Sequence, residues 1–202
     1  MPFLFDADYL DTPSDIMGGF DRVAYIALAD WIVEWPEVPP YSSSPTTPFD
    51  LIALSGAFVM EPQTAFLKVS GQAGLSSESQ GERDCMSVHN SGQLFRAGAH
   101  IENIALQNAM NGAYGVVILT DGDDYIVVGD KTHPCWFTAN VEYGANPAEK
   151  KGITINFEAD SFIAGYRYCE EIPTFDNIMP LFHDGYLYPE NYLFTESYLL
   201  TP

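Results

Sequence analysis

The clearest patterning in this chain has a period of two. Over residues 137–143, Phe137, Ala139, Val141 and Tyr143 fall on one face and Thr138, Asn140 and Glu142 on the other. Residues 153–158 repeat it, with Ile153, Ile155 and Phe157 opposed to Thr154, Asn156 and Glu158. Successive side chains of a strand point to opposite faces, so both runs predict antiparallel strands with one wet face, joined by a polar loop holding Asn146, Pro147, Lys150 and Lys151. Residues 22–34 differ: Val23, Tyr25, Ala27 and Trp31 share one face and Ile26, Leu28 and Ile32 the other. Both faces are apolar, which predicts a strand covered on both sides, with a helix as the alternative because Ala and Leu are frequent there. Two β-rich runs, 114–120 and 125–129, flank Asp121-Gly122, a strong hairpin signal. A second hairpin is predicted for 49–54 and 58–61 around Ser55-Gly56-Ala57, followed by an extended segment over 64–70. Residues 83–96 predict a strand pair or one long strand, with Met86, Val88 and Leu94 as its apolar positions.

One segment has a helical period. In 100–111, Ile101, Ile104, Ala105 and Ala109 make an apolar stripe, and Gly112 stands where a helix-terminating glycine is expected. Residues 35–48 hold five prolines and three consecutive serines and predict a long irregular loop. Residues 71–82, rich in Gly, Ser and Glu, predict an exposed turn. The chain therefore reads as mostly β, a β-sandwich or barrel-like domain over 22–168, with one flanking α-helix. An N-terminal arm occupies 1–21 and an aromatic, acidic C-terminal arm 169–202.

Charge sharpens this picture. The 202 residues include 28 acidic and 8 basic side chains, a net charge of -20. A surface that binds nucleic acid by neutralising phosphate is excluded by that balance, and anionic headgroups are repelled as well. Acidic excess favours solubility, and it also suits an acidic channel wall along which a polyanion slides without sticking. No apolar run reaches the length of a membrane span, and the start lacks the basic region of a secretory signal. Three cysteines, Cys85, Cys135 and Cys169, without metal-site spacing, fit a reducing compartment.

A search for chemistry finds no catalytic motif. His89, His100, His133 and His183 include no helical metal-binding pair. His133-Pro134-Cys135 offers two ligand types where zinc needs four, and a turn histidine explains it as well. Asp121-Gly122-Asp123-Asp124 looks like the start of a calcium loop but lacks its twelve-residue frame. No serine sits in a nucleophile elbow, and neither Gly18-Gly19 nor the 70–74 segment opens a helix after a strand as a phosphate loop must. We expect no enzyme, no metal and no cofactor. Trp31, Trp35 and Trp136 are candidate contacts of a binding module for a receptor or carbohydrate, or else core residues.

Residues 170–202 carry six acids, four prolines and no Lys or Arg, yet they are dense in aromatics. Disordered tails are poor in aromatics, so this segment is expected to dock, either on its own domain or on a neighbouring subunit. Phe175, Phe182, Tyr186, Tyr188, Tyr192 and Phe194 are the candidate interface residues, since aromatics commonly anchor interfaces.

The order of several features from Gly18 to Tyr168 resembles small virion structural proteins of tailed phages of gut bacteria, of the tail tube or tube-like ring type. These features are GGFDRVAYIALADW, the Pro-rich loop, the helix IENIALQNAMNG, the hairpin GVVILTDGDDYIVVGD and the two strands of FTANVEYGANPAEKKGITINFEAD. The chain departs from the pattern in its extension past residue 168 and in Lys150-Lys151-Gly152, where a more polar turn is expected. The resemblance implies subunits that join their sheets into rings, usually hexamers, with an acidic lumen for DNA passage and contacts to other tail or neck proteins. It implies a location in the virion, with assembly in the host cytoplasm. A head-tail connector or neck ring would use the same domain.

Overall fold

A computed structural model describes residues 20, 22–39, 51–82, 87–98, 101–122, 124–144 and 151–174. The protein is mostly β and antiparallel, with a single α-helix among the described residues. Its strands are β1 (Val23–Leu28), β2 (Ile32–Glu34), β3 (Val59–Met60), β4 (Leu67–Ser70), β5 (Gln72–Gln80), β6 (Ser87–Ala97), β7 (Tyr114–Asp121), β8 (Asp124–Val128), β9 (Cys135–Glu142), β10 (Gly152–Ser161) and β11 (Tyr166–Tyr168), with helix α1 (Ile101–Met110) between β6 and β7.

Nine of these strands form one continuous sheet in the order β11-β8-β7-β9-β10-β6-β5, with β1 paired to β7 and β4 to β1. The sheet folds back on itself. β4, β1, β7, β8 and β11 make one half, β9, β10, β6 and β5 the other, and the halves join where Tyr114 and Gly115 pair with Trp136 and Cys135. A core of side chains from both halves fills the space between them, with Ile26, Val117 and Leu119 against Leu94, Ile155 and Phe157. The architecture is sandwich-like. Glycine marks two tight points between the halves, the turn from β4 into β5 and the junction of β7 with β9. A Cβ on Gly71 would strike the Phe95 carbonyl, and one on Gly115 would strike the Ala27 carbonyl and the Phe137 ring.

The two-faced reading of residues 22–28 holds. Ala24 and Ile26 face the sandwich core, while Ala27 and Tyr25 face a second apolar cluster on the other side of the sheet. That second cluster centres on Phe58, whose ring lies 5.9 Å from Trp35, 5.2 Å from Phe66 and 5.3 Å from Tyr168. The hairpin of β7 and β8 pairs Asp121 with Asp124, leaving a two-residue turn with Gly122 at φ 61. β9 and β10 pair from Gly152↔Glu142 to Glu158↔Trp136, with Phe137, Ala139, Ile153, Ile155 and Phe157 fully buried, as their alternation predicts.

Four expectations are corrected. The strand over 22–34 breaks at a 3-10 turn, Ala29–Trp31, because Ala and Asp are weak strand formers and the Trp31 carbonyl is taken by the Glu61 N–H and the Thr64 hydroxyl. Residues 58–61 do not pair with 51–54, the described part of the predicted partner strand. β3 pairs instead with β2, through Ile32↔Met60, and Ser55 bridges to Glu37. Residues 72–80 are not a turn but a nine-residue strand, whose polar composition reflects exposure rather than irregularity. Of the helix stripe, Ile104, Ala105 and Ala109 face solvent, and the packed face carries Asn103, Leu106, Gln107 and Met110. The helix spans the corner between the halves, so hydrogen bonding to a strand edge selects its face as strongly as burial does. Of the segment 83–96, the described part from Ser87 onward is one long strand, β6, with Leu94 buried, while residues 83–86, Met86 among them, lie outside the described residues.

Candidate functional site

The feature with the most potential for interaction is a sheet edge. A strand edge exposes unpaired N–H and C=O groups, and proteins normally cover or charge such edges. This one covers three of them. The edge of β11 is bound by residues 52–54, with the Leu54 N–H donating to the Arg167 carbonyl at 2.9 Å and the Arg167 N–H to the Ile52 carbonyl at 2.8 Å. The start of the β4 edge is met by the segment after β11, where the Phe66 N–H donates to the Pro173 carbonyl at 2.9 Å and Phe66 bridges to Thr174. The edge of β9 is capped by the helix. Gln107 Nε2 donates to the Ala139 carbonyl at 3.1 Å, Asn111 Oδ1 accepts from the Ala139 N–H at 2.7 Å, and Gly112 at φ 74 turns the chain so that its N–H reaches the Phe137 carbonyl. Two side-chain amides there do the work of a neighbouring strand.

The edge of β5 is different. Among the described residues it has β6 on one side and no strand on the other. The Phe20 N–H reaches the Ala73 carbonyl at 3.4 Å, so the backbone groups of Ala73 and of alternate residues after it, Leu75, Ser77 and Ser79, point away from β6. Residues 76–80 are exposed, and the strand carries neither Lys nor Pro, with Glu78 its one charge. The strand is held rigidly from within. The buried Asn90 accepts from the Ser77 hydroxyl at 2.6 Å and donates to Ser161 Oγ at 2.9 Å and to the Ile163 carbonyl at 3.2 Å, and Ser77 also reaches the Ala164 carbonyl.

Beside this edge lies the outer face of the β9-β10-β6-β5 half. Paired residues share a face, so its rows follow from the register. One row runs Tyr114, Trp136, Glu158, Ser91, Ser76, and the next runs Thr138, Asn156, Gln93, Gly74. A cleft of about 430 Å³ opens between them.

A cleft of about 400 Å³ also lies at the open end of the sandwich, lined by Ile52, Leu75, Ser77, Ile126 and Tyr166 with Asp121, Asp124 and Arg167 at its rim. Arg167 Nη2 meets Asp124 Oδ1 at 2.6 Å in a partly exposed pair, an ordinary surface ion pair that closes the β8-β11 edge.

The titratable groups with displaced pKa values are structural. Burial pushes the Cys135 thiol up, and its Sγ sits 3.1 Å from the Val128 carbonyl. Burial and then the neighbouring Asp130 push the Tyr166 phenol up. Asp130 is itself buried and accepts from the Tyr166 hydroxyl at 3.0 Å and from the N–H groups of Thr132 and His133 at 2.7 and 2.8 Å. His133 therefore belongs to a turn built on Asp130, while Cys135 points into the core. His89 Nδ1 lies 2.8 Å from Asp160 on the surface. Among the described residues no group of three His, Cys, Asp or Glu side chains could hold a metal ion, and no helix is long and apolar enough to cross a membrane.

Of the three tryptophans, Trp35 packs in the second cluster and Trp31 is half-buried, while Trp136 is 45% exposed. Phe175, Phe182, Tyr186, Tyr188, Tyr192 and Phe194 lie outside the described residues, as do His100, His183 and Cys85. The β5 edge escaped sequence reasoning because Gly, Ser and Glu are the residues of turns. The lack of both proline and lysine across nine residues was the one available sign. Comparisons with models of known protein families, with curated proteins and with solved structures found no match.

Proposed function

We propose that this protein is a non-catalytic structural subunit that assembles with copies of itself through the open edge of β5. The observation that carries the reading is the contrast between edges: helix, loop and post-β11 segment blunt three of them, and among the described residues β5 is left with outward-pointing backbone groups along a nearly uncharged strand. Pairing such an edge with a neighbour satisfies those groups and extends the sheet between subunits. β5 against β5 of a second copy would stop at a two-fold dimer, so a larger assembly requires β5 to receive a different segment of the next copy, for which the aromatic arm 175–202 is the candidate. Such a head-to-tail contact makes a ring where the rotation closes and a filament where it does not. Taken with the resemblance to tailed-phage tail proteins, the reading is of a ring-forming tail or tail-tube subunit, with hexamers as the expected closed form and the net charge of -20 placed on a lumen that repels DNA. A neck or connector ring would use the same contact. The aromatic residues Phe175, Phe182, Tyr186, Tyr188, Tyr192 and Phe194 would then anchor on the adjacent subunit.

Two variants test this. Ser79→Pro removes one outward N–H without touching the β5-β6 ladder, and deletion of 175–202 removes the aromatic arm. Sedimentation velocity over a concentration series should show assembly of the parent chain, and reduced assembly with unchanged thermal stability for both variants. Assembly of Ser79→Pro at the parent's concentrations would rule out the β5 contact.

A further inference from the structure

We propose that the outer face of the β9-β10-β6-β5 half binds a neutral oligosaccharide, with Trp136 as its stacking platform. A pyranose ring presents an apolar C–H face and a rim of hydroxyls, each both donor and acceptor. Its recognition calls for an exposed aromatic ring beside side chains that can donate and accept together, which are amides and hydroxyls. This face has both. Trp136, 45% exposed, stands directly across from Tyr114, 58% exposed, so two large aromatic rings share one corner of the face beside the polar Thr138, Asn156 and Glu158. From that corner Glu158, Asn156, Gln93 and Ser91 line the cleft of about 430 Å³, and Gly74, with no atom within 4 Å of an added Cβ, leaves a notch at its far end. Three strand spacings separate Trp136 from Ser76, roughly 14 Å, which accommodates a short oligosaccharide laid across the strands.

Charge selects the ligand class. The one basic side chain among the outward positions of these four strands is His89, engaged with Asp160. Glu158, Asp160 and Glu78 are acidic, so phosphorylated, sulfated or uronic acid polymers are repelled and uncharged sugars are favoured. The outward positions also lack lysine and arginine, with amides and hydroxyls at Thr138, Asn140, Thr154, Asn156 and Gln93 where lysines are common on a solvated face. The inference is independent of self-assembly, since a monomer carries the whole face.

Native affinity electrophoresis tests it, with the full chain run through gels containing hydroxyethyl cellulose, galactomannan, xylan or dextran, and through alginate as the anionic control. At least one neutral polymer should retard the protein and alginate should not. Trp136→Ala and Asn156→Ala should each weaken that retardation at least tenfold, while Tyr143→Ala, an exposed aromatic at the end of β9, should leave it unchanged. Melting curves establish that each variant is folded, and Asn156→Ala alone decides if Trp136→Ala is not. No retardation by any neutral polymer, as expected of a face that docks a protein instead, would overturn the proposal. So would retardation by alginate alone, or retardation that survives both substitutions.

Discussion

Replacing Asp130 with alanine should be among the most damaging single changes in the polar interior. The carboxylate joins two parts of the chain: it terminates the β8-β9 turn through the Thr132 and His133 amides and reaches across to the Tyr166 hydroxyl on β11. Loss of the two amide bonds is softened by water, because residues 131 and 132 are exposed. Tyr166 is 2% exposed, and its hydroxyl would be left without a partner. A buried unsatisfied donor costs about 1–3 kcal/mol and a charge-assisted bond to an amide nets about 1.5 kcal/mol, so Asp130→Ala should lose about 3–4 kcal/mol. Tyr166→Phe removes the stranded donor. In the Asp130→Ala background it should cost almost nothing or restore stability, although alone it costs about 1–1.5 kcal/mol. A double-mutant cycle by urea denaturation at neutral pH measures the coupling, expected at about 1–2 kcal/mol. Additive losses, or a loss under about 1 kcal/mol for Asp130→Ala, would refute the argument that this carboxylate holds β11 to the turn.

Three further outcomes follow from the packing. Cys135, Tyr166 and Tyr168 all have pKa values raised by burial above ordinary values of 9.0 and 10.0, so the unfolded chain releases their protons first. Their contribution is complete below those ordinary values and is lost progressively as pH rises from about 9 toward the folded-state values, and denaturation midpoints should fall steadily over that range. Gly115→Ala drives a methyl group into the Ala27 carbonyl and the Phe137 ring at the junction of the two halves and should cost about 2–3 kcal/mol, read from the melting temperature. Asn111→Ala uncaps the β9 edge, so the Ala139 amide should exchange its hydrogen at least tenfold faster, with a loss of about 1 kcal/mol in global stability.

Legibility followed the source of each signal. Wherever burial on one face of a strand dictates side chains, as in β9 and β10 or on both faces of β1, the pattern could be read directly from Phe137, Ile155 or Ile26. The Asp-Gly turn between β7 and β8 was legible because a two-residue hairpin demands those residue types. β5 was not, since an exposed edge strand has no apolar requirement beyond Ala73 and Leu75. The helix was found but its face was misread. Ile104 outweighs Asn103 on any hydrophobic scale, yet Asn103 is fully buried and bonded to the Gly98 carbonyl at 2.6 Å, and Gln107 faces the β9 edge for the same polar reason. The pairing of β2 with β3 depends on a contact across 24 intervening residues, which no local turn signal reports. As for candidate sites, the exposure of Trp136 depends on the corner at Gly115, and the alternation of β9 alone placed it only opposite Phe137.

We propose that copies of this chain join at the β5 edge. Electron microscopy of the purified protein, with its mass measured by light scattering as concentration is raised, tests it most directly. The prediction is a discrete species at a multiple of 22.4 kDa, seen as rings or short tubes with a central hole. A single 22.4 kDa particle at every concentration would contradict it.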